Sequence, residues 1–187
     1  MTTREYIDKA MILSYEDPDY PDRAKMVSTG QSFTAFFYWL TKLLKPEMIF
    51  EWGPGQSTHA FLMGDPNVQI ISYDDDDQWT QLYKKQLKEY DTKYMDRIEF
   101  YTVTGTEDYN NSILPDNSTD IVLVDGVRRN DCFASAERIV KPGGVVVVHD
   151  TNSSVLWSKP ETELTYYGEH EDPIQGETTS IYIKEEL

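Results

Sequence analysis

Short apolar segments alternate with helical segments from residue 48 to residue 148, and this alternation constrains the fold more than any other feature. Five such segments are found, at residues 48–52, 68–73, 98–103, 120–124 and 145–148. The fourth and fifth are almost continuously apolar, as expected of strands that are buried on both faces. Strands separated by helices form βαβ units, which build a parallel sheet. The sequence therefore predicts an α/β fold with helices on both faces of the sheet.

The C-terminal region follows a different pattern. Residues 164–167 and 180–183 are apolar and aromatic, and the segment between them contains Gly and Pro but no helical pattern. We expect an antiparallel hairpin with His170 in its loop, where neighbouring glutamates would raise the pKa of the imidazole. No repeat or linker divides the chain, so we expect a single domain over residues 1–187. Residues 1–30 begin with an irregular, Pro- and Asp-rich stretch that we expect to act as an N-terminal arm or lid.

The chain carries a large negative charge. It has 33 Asp and Glu against 17 Lys and Arg, a formal net charge of −16. This balance argues against binding to nucleic acid phosphates or to an anionic membrane surface. No apolar run approaches the ~20 residues of a membrane span, and the N-terminus lacks the apolar stretch of a secretory signal. We therefore expect a cytoplasmic protein, and its single cysteine, Cys132, excludes a disulfide framework or a cysteine-based zinc site.

The segment after the first predicted strand carries the strongest local signal, Glu51-Trp-Gly-Pro-Gly-Gln-Ser-Thr58. Gly53 and Gly55 let the backbone turn sharply and approach a ligand without interference from a Cβ atom. Ser57 and Thr58 are expected to cap the following helix, whose free N–H groups attract a carboxylate or a phosphate. A glycine turn between a strand and a helix is also compatible with a purely structural role.

An acidic residue at the end of the second strand favours a ligand at this turn. Asp74 lies 23 residues after Glu51, close to the ~20-residue offset at which a carboxylate binds the ribose hydroxyls of a nucleoside. These positions predict an adenosine-type cofactor across the carboxyl ends of strands one and two. Thr58 stands where a dinucleotide site has its third glycine, which disfavours NAD. Because Glu51 suits a cationic amino acid group, S-adenosylmethionine (SAM) fits better.

Four segments resemble the motifs of class I SAM-dependent methyltransferases: residues 51–58, 73–79, 120–126 and 140–150. The resemblance implies a three-layer sandwich with a mostly parallel seven-stranded sheet of order 3-2-1-4-5-7-6, in which only strand 7 is antiparallel. It implies that the following residues bind SAM: Glu51, Gly53, Gly55, Ser57, Thr58, Asp74, Asp75 and Asp125. It also places adenine at residues 104–109, where Glu107 or Asp108 would accept from the adenine amino group. An ordinary acidic loop explains those residues equally well.

A second polar cluster is expected where strands four and five end, at Asp125, Arg128 with its neighbour Arg129, His149 and Asp150. Ligands bind at this edge of open α/β sheets, and we assign Asp125, Arg128, His149 and Asp150 to catalysis. His149 between carboxylates suits a general base for a hydroxyl. Asp125 and Asp150 also suit Mg²⁺ or Mn²⁺. Similar small-molecule O-methyltransferases have an acid in place of His149, so base, metal ligand and structural residue all stay open.

The loop after strand four, residues 125–129, resembles that of O-methyltransferases acting on sugars and other polyhydroxylated small molecules. We therefore expect methyl transfer from SAM to a hydroxyl of a small-molecule or glycan acceptor. The alternatives are a methyltransferase acting on a protein or another small molecule, and a SAM-binding protein without activity. Ser28, Thr29 and Gln31 of the arm are expected near the methionine end of SAM. The oligomeric state stays open, with a homodimer as one option.

Overall fold

The computed structural model describes residues 1–17, 31–153, 155, 157–173 and 176–186. Its strands are β1 (Met48–Trp52), β2 (Gln69–Asp74), β3 (Ile98–Thr102), β4 (Thr119–Val124), β5 (Val140–Val148), β6 (Thr165–Glu171) and β7 (Thr178–Ile183). Its helices are α1 (Thr3–Glu16), α2 (Gln31–Leu44), α3 (Gln56–Gly64), α4 (Asp77–Tyr90), α5 (Thr106–Asn110) and α6 (Arg129–Ile139), with a 3₁₀ turn at Thr92–Asp96. None of the helices within these described ranges is long and apolar enough to cross a membrane.

All seven strands join one sheet of order β3-β2-β1-β4-β5-β7-β6. Strands β1 to β5 are parallel to one another. Strand β7 runs antiparallel to both of its neighbours, β5 and β6. Because β6 is antiparallel to β7, it points the same way as the parallel strands. The predicted strand order and the reversed strand 7 are confirmed.

The two faces of the sheet carry separate apolar cores, because side chains alternate between the faces along each strand. On β4, Ile121 and Leu123 belong to one core, and Val122 and Val124 belong to the other. Helices α1 to α4 contribute to the first core, and α5 and α6 contribute to the second. This arrangement is the predicted three-layer sandwich.

The N-terminal region begins as a helix and not as the irregular arm expected from the sequence. Thr3–Glu16 is α-helical, and Thr2 and Glu5 form a capping box at its first turn. Ile7 and Ala10 lie on one face of this helix, fully buried in the core that also contains α2. Two fully buried apolar residues three positions apart make a weak pattern in the sequence, which is why the helix was not expected.

The residues expected to form a lid lie mostly outside the described part of the chain. Ser28 and Thr29 fall within residues 18–30, which lie outside the described residues. Gln31 is the first residue of α2. The lid therefore stays a proposal.

His170 lies in β6 and not in a hairpin loop, because this strand extends to Glu171. Its side chain is buried, with the Ser14 hydroxyl 2.9 Å from Nε2 and the rings of Tyr15 and Phe36 stacked against the imidazole. Burial lowers the pKa of His170 to about 4, the opposite of the expected rise. At neutral pH this residue is an uncharged part of the core.

Candidate active site

Four polar side chains lie where neighbouring strands end, at one edge of the sheet: Glu51, Asp74, Asp125 and His149. Their positions follow from the register of the parallel strands. Trp52 of β1 pairs with Tyr73 of β2 and with Val124 of β4, and Val124 pairs with Val148 of β5. The two clusters predicted from the sequence therefore form one continuous site.

The turn after β1 is held tightly between the ends of β2 and β4. Gly53 has φ of +88°, and a Cβ atom there would lie 2.9 Å from Gly126 N, so this position requires glycine. The Gly53 N–H donates to Tyr73 O at 2.8 Å. At Gly55, no atom of the described residues beyond its chain neighbours lies within 4 Å of the place a Cβ would take. The turn therefore offers open space for a ligand beside Gly55.

Thr58 connects this turn to Glu51. Its hydroxyl accepts from the Gly55 N–H at 3.0 Å and donates to Glu51 Oε1 at 2.7 Å. Gly55 is the N-cap residue of α3 and has no side chain to cap it, but Thr58, at the third position of the helix, accepts from the Gly55 N–H. The expected capping is therefore observed for Thr58 and not for Ser57. The same Thr58 hydroxyl also orients the Glu51 carboxyl group.

Glu51 is a buried acid with spare hydrogen-bonding capacity. It is fully buried, its Oε2 has no hydrogen-bond partner among the described residues, and the nearby Ser72 hydroxyl does not meet hydrogen-bond geometry. Burial raises the pKa of Glu51 to about 8; the Thr58 hydroxyl opposes this rise, and the charges of Asp125 and Asp74 add to it. A buried carboxyl group becomes charged at neutral pH only when a cation comes close. The arrangement therefore suits an ammonium group.

Asp74 ends β2 with its side chain only 8% exposed. Its Oδ1 accepts from the Asp76 N–H at 2.8 Å. Burial raises the pKa of Asp74 to about 6, and the charges of Asp75 and Asp76 act in the same direction. Asp75 is exposed, whereas Asp76 is the N-cap of α4 and accepts from Gln78 N and Trp79 N. Of these three acids, Asp74 is the one directed into the site.

The loop assigned to adenine contains the short helix α5. Glu107 lies on it with its side chain exposed. Tyr109 of the same helix is buried instead, and its backbone carbonyl accepts from Trp52 Nε1 at 2.7 Å. A Cβ atom at Gly126 would lie 2.0 Å from the Tyr109 hydroxyl, so that ring fixes glycine at position 126. The structure therefore places Tyr109 against the turn after β4 and leaves Glu107 at the surface.

His149 is buried among three carboxylates. Its Nδ1 lies 3.0 Å from Asp125 Oδ1 and 3.7 Å from Asp150 Oδ2, and its Nε2 lies 3.4 Å from Glu177 Oε2 without hydrogen-bond geometry. The Phe33 ring packs on the imidazole with the ring centroids 3.8 Å apart. Burial disfavours the charged form, but Asp125, Asp150 and Glu177 outweigh it and raise the pKa of His149.

Arg129, and not Arg128, is the cation of this cluster. Its guanidinium lies 3.1 Å from Asp125 Oδ1 and 3.2 Å from Asp150 Oδ2, and it donates to the His149 carbonyl at 2.6 Å. Arg128 is exposed. It is the residue before α6, and its backbone is in the left-handed conformation with φ of +55°. The structure thus brings Asp125, His149 and Asp150 together as predicted and leaves Arg128 outside their contacts.

Three residues of this cluster carried weak signals in the sequence. Arg129 lies four positions after Asp125, a spacing that brings two side chains together only if the helix begins in that loop. Phe33 belongs to the aromatic face of α2, which the pattern assigns to the core. Glu177 precedes β7 in the acidic C-terminal region, where nothing distinguishes it from the other glutamates.

No known protein-family model matches this chain, and no curated protein matches it either. Solved structures do match over almost the whole chain. One is the O-methyltransferase TomG from Streptomyces achromogenes in complex with SAM, with 16% identity, 97% of this chain and 90% of that chain covered, and a TM-score of 0.66. Another is the Bacillus cereus O-methyltransferase in complex with S-adenosylhomocysteine (SAH), with 14% identity, 96% and 91% covered, and a TM-score of 0.62.

SAH-bound PaMTH1, a methyltransferase from Podospora anserina, matches with 12% identity, 97% of this chain and 88% of that chain covered, and a TM-score of 0.63. At these identities the likeness shows the fold. The chain therefore has the fold of the class I SAM-dependent methyltransferases, as the four sequence motifs predict.

Proposed function

We propose that this protein is a SAM-dependent O-methyltransferase, with residues 1–187 as one domain. The fold of structures solved with SAM or SAH supports the cofactor, and the cluster at the ends of β4 and β5 supports transfer to a hydroxyl. When bound, SAM supplies a methyl group activated by a sulfonium. The protein then has to hold the cofactor, orient the acceptor, remove a proton and exclude water.

The residues at the ends of β1 and β2 fit this cofactor. The unpartnered Oε2 of Glu51 would accept from the SAM ammonium, and the open face of Gly55 leaves room for its carboxylate beside the N-terminus of α3. Asp74 would accept from the ribose hydroxyls. The support for direct contacts with SAM is weaker for Asp75, Ser57 and Glu107. Asp75 and Glu107 are exposed at the surface, whereas Ser57 is buried.

The observation that supports His149 as the base is the 3.0 Å contact between its Nδ1 and Asp125 Oδ1. This contact favours the tautomer with its proton on Nδ1, in which Nε2 would be the atom that takes the acceptor proton. The resulting imidazolium is stabilised by Asp125 and Glu177, whose charges already raise the pKa of His149 against its burial. Arg129 donates to the same Asp125 Oδ1 and so helps to hold that carboxylate in place.

A divalent metal fits this site poorly. Among the described residues, the side chains of Asp125, His149 and Asp150 lie close enough to share an ion, with ligand atoms within 4.8 Å of one another. However, the Arg129 guanidinium is already paired with both carboxylates, and it would repel a second cation bound to the same oxygens. We expect full turnover in EDTA, and turnover that is lost in EDTA and restored by Mg²⁺ or Mn²⁺ would replace the base mechanism with a metal-assisted one.

The acceptor we propose is a hydroxyl of a sugar or glycan. The exposed parts of Asp150 and Glu177 can accept from the neighbouring hydroxyls of such a molecule. A protein side chain and another small molecule are the competing acceptors, and a SAM-binding protein without activity is the competing class.

Binding and turnover separate these candidates. Calorimetry with SAM, SAH and NAD tests the cofactor, and SAH release with a panel of glycosides tests the acceptor. Asp125→Asn should lose most turnover at saturating SAM, because the amide cannot stabilise the imidazolium of His149. Asp131→Asn is the matched control, since Asp131 is an exposed acid of α6. Equal turnover in the two variants would contradict the assignment of His149.

A further inference from the structure

A second cavity with aromatic walls lies beside the catalytic cluster. It has a volume of about 260 Å³ and lies between the segment after β5 and the β6–β7 hairpin. We call it the tyrosine cavity; it is lined by Thr151, Trp157, Lys159, Tyr166, Glu169, Ser180 and Tyr182. Pockets for drug-sized ligands occupy roughly 300–1,000 Å³, so this volume suits a smaller group such as one sugar ring.

The walls of the tyrosine cavity are three aromatic rings. Trp157 and Tyr182 are buried and fixed in the core, with their ring centroids 6.4 Å apart. The ring centroids of Tyr166 and Tyr182 are 5.5 Å apart. Tyr166 is 39% exposed, so part of its surface is accessible to a ligand. Aromatic rings provide flat apolar surface that covers the C–H face of a pyranose.

The polar groups of the cavity are of the kind that bind neutral hydroxyls. Tyr182 is fully buried, yet its hydroxyl has no hydrogen-bond partner among the described residues. Such a group is costly to leave unsatisfied, and a ligand hydroxyl would satisfy it. Ser180 donates to Thr151 Oγ1 at 2.9 Å, and Lys159 Nζ lies 4.0 Å from the centroid of the Tyr166 ring.

The cavity is close to the proposed base. Thr151 is two positions after His149, and Ser180 pairs with Val148, the residue before it. Trp157 also lines a smaller cavity of about 190 Å³, which Arg129 shares. The tyrosine cavity therefore neighbours the catalytic cluster along β5 and β7, and Trp157 connects it to the cavity that Arg129 lines.

We propose that the tyrosine cavity is a second sugar subsite, which binds the ring adjacent to the one that is methylated. The acceptor is then a glycan of at least two rings. This inference deepens the proposed function and rests on it for the identity of the neighbouring site. The subsite itself predicts sugar binding whether or not the protein transfers a methyl group.

Ligand-observed NMR titrations in the presence of SAH test this subsite, with maltose, cellobiose and lactose as disaccharides and the methyl glucosides as single rings. At least one disaccharide should bind more tightly than any single ring. Tyr182→Phe should raise its Kd about three- to tenfold, the loss of one neutral hydrogen bond. Tyr166→Ala should raise it further. Tyr167→Phe is the matched control, because this neighbour on β6 donates to Asp8 of α1.

Disaccharides that bind no better than single rings, or not at all at millimolar concentration, would overturn the subsite. So would Tyr182→Phe and Tyr166→Ala variants that bind like the wild type. SAM calorimetry on the same samples separates this failure from a failure of the proposed function. SAM binding without disaccharide preference overturns the subsite alone, whereas disaccharide binding without SAM binding supports the subsite and overturns the methyltransferase.

Discussion

Glu51→Gln should stabilise the cofactor-free protein and weaken its binding to SAM. Glu51 is fully buried, its Oε2 is unpartnered, and burial raises its pKa to about 8. The wild-type side chain is therefore neutral when the protein is folded at pH 7 and charged when the protein is unfolded. Glutamine has the same shape without the titration, so the variant should lose this pH dependence.

The size of this stability difference follows from the interval between the ordinary pKa of 4.5 for Glu51 and its pKa of about 8 in the folded protein. Above pH 4.5 the unfolded chain releases the proton that the folded protein retains, so stability falls as pH rises. At about 1.4 kcal/mol per pH unit, the loss is about 3 kcal/mol at pH 7 and about 5 kcal/mol once pH exceeds 8. Below pH 4.5 Glu51 is neutral in both the folded and the unfolded protein, so it does not lower the free energy of unfolding.

Urea unfolding at several pH values from 4 to 9 measures this difference. The variant should match the wild type at pH 4 and exceed it by an amount that grows up to pH 8. Glu47→Gln is the matched control, because Glu47 is an exposed acid just before β1. Its stability should follow that of the wild type at every pH.

The same charge should govern SAM binding. An ammonium beside Glu51 favours the carboxylate, so binding releases a proton and wild-type affinity should rise about tenfold per unit between roughly pH 6 and 7. Calorimetry in two buffers of different ionisation enthalpy detects that proton. The Glu51→Gln variant should show neither the pH dependence nor the proton release. A constant stability difference across pH, or equal SAM affinity in both proteins, would refute this account of Glu51.

Three further variants test the rest of the site. His149→Ala should retain SAM binding and lose turnover about 100-fold or more; wild-type rates would contradict its role as base. Arg129→Met removes a buried guanidinium from the partly exposed carboxylates of Asp125 and Asp150 and should lower the free energy of urea unfolding by about 1–3 kcal/mol, unlike exposed Arg128→Met. Gly126→Ala would bring a methyl group onto the Tyr109 hydroxyl, and its loss of stability should be partly reversed by adding Tyr109→Phe, as a double-mutant cycle measures.

The sequence was sufficient to predict the sheet, because a buried parallel sheet leaves a pattern that few other folds share. The continuous apolar runs of β4 and β5 and the hairpin after them indicate a mostly parallel sheet that ends in a hairpin, and the resemblance to the methyltransferase motifs implies the strand order that the structure confirms. Helix α1 was not predicted, since only Ile7, Ala10 and Ser14 of its fourteen residues are buried. A helix held by so few contacts has too weak an apolar period to be recognised before its partners are known.

The site was predictable as far as strand ends determine it. Glu51, Asp74, Asp125 and His149 each stand at or beside the carboxyl end of a parallel strand, and register alone brings them to one edge. The choice between Arg128 and Arg129 depends on the left-handed backbone at position 128, which the sequence does not specify. Such details depend on backbone geometry and were seen only in the structure.

The balance of charge is the reason for proposing a cationic cofactor in one half of this site and no metal in the other. Asp125 and Asp150 share the guanidinium of Arg129, so the acceptor half already has its cation. The half of the site at Glu51 and Asp74, proposed to bind the cofactor, has two buried carboxyl groups and no cation among the contacts described for them. Burial raises the pKa of Glu51 to about 8 and that of Asp74 to about 6. In the proposed function, SAM would supply an ammonium and a sulfonium to that half. In a chain with a net charge of −16, we therefore expect the position of the buried guanidinium of Arg129 to decide which ligand each half can bind.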